Sequence, residues 1–331
     1  MSLTNRLRLG AAAIATGTIA ITAALSLAGQ ANASTVAATP KTAAATSYTF
    51  KTLDNAKDLT FNQLLGINSH NVISGYFGIG SATRPNKGYL LKPPYGQANY
   101  VNENFPGSVQ TQVTGLNDLG DTSGFWVSGD NTNRGFVEWN GVFVSYTDPS
   151  TPHVAGSVNQ VLGINNAGIA VGFYNDAAVP TPHAHPYELN QATGKFTALH
   201  IPDAVSATAS GINNAGDIVG FFTDAAGSIE SFLLTPSHQL VTYQFPGGSD
   251  TQALGINAND QIVGSYLDGQ GVMHGFVLSA PLGPVSNWQK IDDPSGVGST
   301  VVNGINKAGD LVGFYTDSAG NVDGMLAVPT P

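Results

Sequence analysis

Along most of the chain, short apolar runs of four to seven residues alternate with clusters of Gly, Asn, Asp and Pro, and no stretch holds a 3.6-residue apolar period. Such a pattern predicts short β-strands joined by tight turns. Within residues 204–245 the runs TASGIN (208–213), DIVGFFT (217–223), ESFLLT (230–235) and LVTYQF (240–245) read as four successive strands. Asn213-Asn-Ala-Gly216 separates the first two, and Asp224-Ala-Ala-Gly227 the next two.

The first of these hairpins is repeated. GINNAGIAVGFY begins at Gly163, GINNAGDIVGFF at Gly211 and GINKAGDLVGFY at Gly304, with diverged copies at Gly66, Gly115 and Gly255. Two residues on stand Asn68, Asn117, Asn165, Asn213, Asn257 and Asn306. Five residues on stand Asn71, Gly120, Gly168, Gly216, Asp260 and Gly309, the three residue types that best tolerate a left-handed backbone. A type I turn closed by a G1 bulge needs that conformation at its third loop residue. The preceding asparagine fits a turn that its side chain caps, although a ring of six asparagines could also serve a ligand.

Six copies about 48 residues apart, each with four short strands, match one propeller blade per repeat. The expected fold is all-β: a six-bladed β-propeller with four antiparallel strands per blade over residues 48–328, followed by a tail at 329–331. The last copy stops after its third strand, GMLAV (324–328), while an unassigned strand, YTFKTLD (48–54), precedes the first copy. The N-terminal strand is therefore expected to complete the last blade and close the ring, burying an edge that would otherwise pair with other chains.

Aromatic residues two positions past the second motif glycine (Phe77, Trp126, Tyr174, Phe222, Tyr266, Tyr315) are expected in the inter-blade core, with sugar stacking as the alternative. Trp139 and Trp288 are also expected to be core residues.

The ends and the charge add a location. Arg6 and Arg8, an apolar run from Gly10 to about Gly29 and Ala31-Asn32-Ala33 form a secretory signal peptide, residues 1–33. Residues 34–47 lack the apolar content to fold and read as a flexible Ala/Thr-rich leader. No later stretch is long enough to cross a bilayer as a helix, so no membrane insertion is expected after cleavage. Without its signal the chain carries ten basic and 22 acidic residues, which argues against nucleic-acid partners. It has no cysteine, which excludes disulfides and thiolate chemistry. The expectation is a secreted monomer, extracellular or associated with the cell wall.

The Gly-Ile-Asn-x-x-Gly-x-Ile-Val-Gly unit resembles the extracellular HAF-type repeat of bacterial secreted and surface proteins. Its downstream His-Ala-Phe corresponds here to His185-Pro-Tyr187 and His274-Gly-Phe276, whereas Ser231-Phe232 and Asp323-Gly-Met325 stand there in other copies. The resemblance covers residues 48–328. It implies secretion and a structural or binding role, and it offers no catalytic residues to carry over.

Candidate chemistry is sparse. No nucleophile elbow, phosphate loop or HExxH is present, and neither a catalytic residue, a metal ligand set nor a cofactor is assigned. His183 and His185, in the Pro-rich insertion at 175–188, are two apart on an extended segment without a third ligand. Gln63, Gln112, Gln160 and Gln252 stand three residues before the motif glycine. They either line a channel mouth suited to neutral polar ligands such as glycans, or satisfy inner-strand backbone groups. With His183 and His185 they are the ligand-binding candidates. A non-enzymatic binding or interaction module for a glycan or cell-surface partner at one end of the channel is the expectation, with a hydrolase or lyase on a polysaccharide or lactone at the channel mouth as the alternative.

Overall fold

The computed structural model describes residues 46–176, 182–282 and 287–330. The signal peptide, the leader up to residue 45 and residues 177–181 of the insertion lie outside these. The described chain is all-β apart from one 3₁₀ turn at Gln97–Asn99.

Each motif copy opens a blade of four antiparallel strands; in blades 1 to 5 they pair in chain order, and a parallel bridge between Met273 and Ser299 joins blade 5 to blade 6. Blades 1 to 5 span residues 62–102, 110–146, 159–198, 204–243 and 249–291. Blade 6 takes three strands from residues 299–329 and its outer strand from Tyr48–Thr52. That strand pairs antiparallel with Val322–Pro329, Tyr48 opposite Pro329 and Thr52 opposite Met325. The expected outer strand is therefore in place, shorter than the 48–54 read from sequence. Leu53 continues past it into a cluster with Leu64, Ile67, Val312 and Leu326, which ties blade 6 to blade 1. Thr46 and Ser47, read as leader, are held too: Gln289 bonds the Thr46 backbone and Thr330 donates to the Ser47 carbonyl.

The motif turn has the expected form in every blade. Asn71, Gly120, Gly168, Gly216, Asp260 and Gly309 all have positive φ, between 56° and 94°. The Asn68 side chain accepts from the amides of His70 and Val72, and the equivalent asparagines accept from their own turns in the same way.

The second motif glycine has a different cause. At Gly264 an added Cβ would lie 1.8 Å from the Gln252 carbonyl and 2.9 Å from the Phe276 ring. Phe276 is the cross-strand partner of Gly264 and is fully buried, as are Tyr89, Phe136, Tyr187 and Phe232 at the same position in blades 1 to 4. The ring lies across the glycine and fills the space its missing side chain leaves.

Phe222, Tyr266 and Tyr315 are buried, whereas Phe77, Trp126 and Tyr174 are half-buried. Phe105, on the link from blade 1 to blade 2, stacks on Trp126 at 4.5 Å, and Phe245 stacks on Tyr266 at 3.6 Å. Trp288 packs against the cluster around Tyr243 and Phe276. Trp139 departs from expectation. It is 45% exposed, because it precedes a tight turn in a third strand that runs out beyond the sheet's covered part.

Candidate functional site

The six inner strands surround a central channel, and a β-bulge in each strand shapes it. Register shifts at the residue before the motif glycine in every blade. The bulged residues, Leu65, Thr114, Leu162, Ser210, Leu254 and Asn303, line the channel. They alternate. Blades 1, 3 and 5 place leucine there, while the polar residues of blades 2, 4 and 6 bond forward to the following blade. Thr114 Oγ1 donates to the Val161 carbonyl at 2.9 Å, Ser210 Oγ to Ala253 at 2.7 Å and Asn303 Nδ2 to Leu64 at 2.9 Å. Each polar group is thus spent on holding blades together, and the three leucines narrow the passage. The motif glycines make that approach possible: a Cβ on Gly211 would meet the Gly255 Cα at 3.2 Å.

The two ends of the channel differ. At the end where the inner strands begin, the space measures about 40 Å³ and is lined by Gln63, Phe314 and the bulged residues. Of the four candidate glutamines only Gln63 borders it, and its Oε1 accepts from the Tyr76 hydroxyl at 2.9 Å. Gln112, Gln160 and Gln252 are buried in the walls, between 1% and 7% exposed. The inner-strand side chain at this position points between blades, a direction that the linear repeat does not reveal.

His183 and His185 lie toward the same end, His185 on the third strand of blade 3, Ala184–Asn190, and His183 just before it. The His183 amide donates to Asp176 Oδ1 at 2.7 Å, and His185 Nε2 lies 3.3 Å from Asp176 Oδ2 with its ring stacked on Tyr174. Asp176 joins the pair locally, apart from the glutamines. Blade 5 repeats the arrangement with His274 between Asp268 (3.2 Å) and Asp292 (2.7 Å). Among the described residues no group of three or more His, Cys, Asp or Glu is placed to hold a metal ion.

The opposite end opens into a funnel of about 300 Å³. Its floor is aliphatic: Ile67, Leu116, Ile164, Ile212, Ile256 and Ile305. Above them the six motif asparagines form a collar. Asn68 Nδ2 donates to the Asn117 carbonyl at 3.0 Å, Asn117 to Asn165 at 3.1 Å, Asn165 to Asn213 at 3.1 Å and Asn213 to Asn257 at 3.4 Å. Asn257 reaches Asn306 at 2.9 Å, and Asn306 turns to Asn71 Oδ1 at 2.8 Å. Each side chain therefore caps its own turn through Oδ1 and fastens the next blade through Nδ2. The turn role is as expected from sequence; the inter-blade bond could only be seen once the turns were brought side by side.

The outer rim is made by the residues that follow the asparagines: Ser69, Asp118, Asn166, Asn214, Ala258 and Lys307. Here too bonds run around the ring, from the Ser69 amide to Asp118, the Asp118 amide to Asn166 and the Asn166 amide to Asn214, at 2.8 to 2.9 Å. Burial raises the Asp118 carboxyl, but hydrogen bonds from Ser69 and Asn166 outweigh it and hold the group below the usual carboxylate range. An ionised, hydrogen-bonded carboxylate is a poor proton donor at neutral pH. The Asn166 side-chain amide is engaged with the Asp118 carboxylate, whereas the amide Nδ2 of Asn214 has no bonding partner among the described residues and is free to donate.

Carboxyls with raised pKa sit elsewhere. Burial pushes Glu103 up to about 7 and Asp54 up to about 6, and neither lines the channel.

No family model and no curated protein matches the chain. Solved structures match its fold. The neuraminidase-like protein of A/flat-faced bat/Peru is 12% identical, with 84% of this chain and 91% of that one covered and a TM-score of 0.50. The fungal lectin of Aleuria aurantia, described as a six-bladed β-propeller with a novel fucose recognition mode, is 12% identical over 81% of this chain and 96% of that one, with a TM-score of 0.45. The acylaminoacyl peptidase of Pyrococcus horikoshii is 9% identical and covers 82% of this chain, with a TM-score of 0.43; this chain spans 52% of it.

Proposed function

We propose that the protein is a secreted, non-enzymatic binding module of the HAF-repeat type that holds a neutral polar ligand, a glycan, in the asparagine-collared funnel. The funnel supports this reading. An aliphatic floor suits the apolar face of a sugar ring, and the amide of Asn214 offers a free donor to a hydroxyl group above it. Its one carboxylate, Asp118, is committed to the rim. The ligand end is thus the turn end of the channel, with the space for a ligand that the glutamine end lacks.

A glycan array on the mature chain, followed by titration calorimetry of any hit, tests this. Asn214→Ala should weaken binding about tenfold while the fold persists. Unchanged affinity would move the ligand away from the funnel. Turnover of an arrayed substrate would replace the reading with the enzyme alternative.

A further inference from the structure

The third strand of each blade carries one side chain that faces the following blade. Strand pairing identifies it as the partner of the residue eight positions after the motif glycine. The pairs are Ser74 with Leu90, Ser123 with Val137, Val219 with Leu233, Val263 with Val277 and Val312 with Leu326. Val137, Leu233, Val277 and Leu326 are nearly inaccessible, and each belongs to an apolar cluster shared with the next blade.

In blade 3 the partner of Val171 is Glu188. A carboxylate stands where the other five blades have an aliphatic side chain. The cluster between blades 3 and 4 contains Val171 and Ile218 but nothing from this third-strand position. A cavity of about 360 Å³ takes its place, lined by Glu188 together with Ile169, Leu199, Ile218, Leu234 and His238. The Glu188 side chain makes no hydrogen bond or ion pair with any described residue. A half-buried carboxylate without a side-chain partner, set beside aliphatic walls, is an anionic group that a cation in the cavity would pair with.

We propose that this cavity binds a small organic ammonium ion, a protonated primary amine on an apolar body. The ammonium pairs with Glu188, and the body packs on Ile169, Leu199, Ile218 and Leu234. The excess of acidic residues over the whole chain adds a long-range attraction for cations. The site stands apart from the funnel reading, although Asn165, Ile212 and Asn214 border both spaces.

Titration calorimetry on the mature protein with phenethylammonium, neutral 2-phenylethanol and anionic 3-phenylpropionate tests it. The ammonium should bind at millimolar concentration or below, the alcohol about tenfold more weakly and the carboxylate not at all. Glu188→Gln, close to isosteric, should lower ammonium affinity about tenfold. Glu188→Leu, which installs the residue of blades 1, 4 and 6, should abolish binding and raise the melting temperature. Ammonium binding that survives Glu188→Leu would overturn the proposal. So would the absence of ammonium binding to the unaltered protein, or equal affinity for the three probes.

Discussion

Asn257 donates its amide Nδ2 to the carbonyl of Asn306 at 2.9 Å, while its Oδ1 receives the backbone amides of Asn259 and Gln261. One buried side chain thus shapes the turn of blade 5 and fastens it to blade 6. Asn257→Asp keeps the acceptor and loses the donor, so the turn stays capped while the blade-to-blade bond is removed. It leaves a buried carboxylate facing a carbonyl. We expect a loss on the order of 1–3 kcal/mol in urea unfolding at pH 7. An unchanged midpoint would mean that the inter-blade bond contributes nothing.

Gly216 has a φ of 90°, a backbone conformation that a β-branched residue resists. Gly216→Val should therefore cost about 1–3 kcal/mol. Gly216→Asn should cost distinctly less, because Asn71 occupies the same position in blade 1 with a φ of 59°. Thermal unfolding of the two variants side by side checks the order.

Residues 48–54 supply the outer strand of blade 6 and the buried Leu53. Removing them leaves the edge of Val322–Pro329 unpaired, with lower thermal stability and concentration-dependent aggregation as the expected outcome. Removing residues 34–45 should leave both unchanged. Light scattering during a melt separates the two truncations.

Asp54 accepts a hydrogen bond from the Gly324 amide at 2.9 Å, joining the end of the first strand to the last. Its carboxyl is raised to about 6, chiefly by burial, with the Gly324 bond lowering it and Asp323 and Asp317 raising it. A carboxyl with a folded pKa above its unfolded value contributes stability that is fully present below the unfolded pKa, near 4, and lost as pH rises through about 6. Asp54→Asn keeps the acceptor and removes the charge. It should therefore melt higher than the unaltered protein at pH 8, with the difference shrinking toward pH 5. A pH-independent difference would assign the effect to packing instead.

The blade count, the strand order and the motif turn are legible in the sequence. These rest on local chemistry: a repeat of about 48 residues, an alternating apolar pattern, and Gly, Asn or Asp wherever φ must be positive. The outer strand at 48–52 was legible too, because an incomplete last copy leaves one place for an extra strand. The direction of each inner side chain was not legible. The bulge before each motif glycine shifts register by one residue and turns Leu65 or Thr114 toward the channel while Gln112 goes into the wall. Glu188 escaped for a related reason. The insertion at 175–188 breaks the linear spacing of blade 3, and only pairing with Val171 aligns this glutamate with Leu233 and Val277. Which positions share a face across a bulge or an insertion is set by hydrogen-bond register and by the packing of one blade on the next, and both arise only when the strands are assembled.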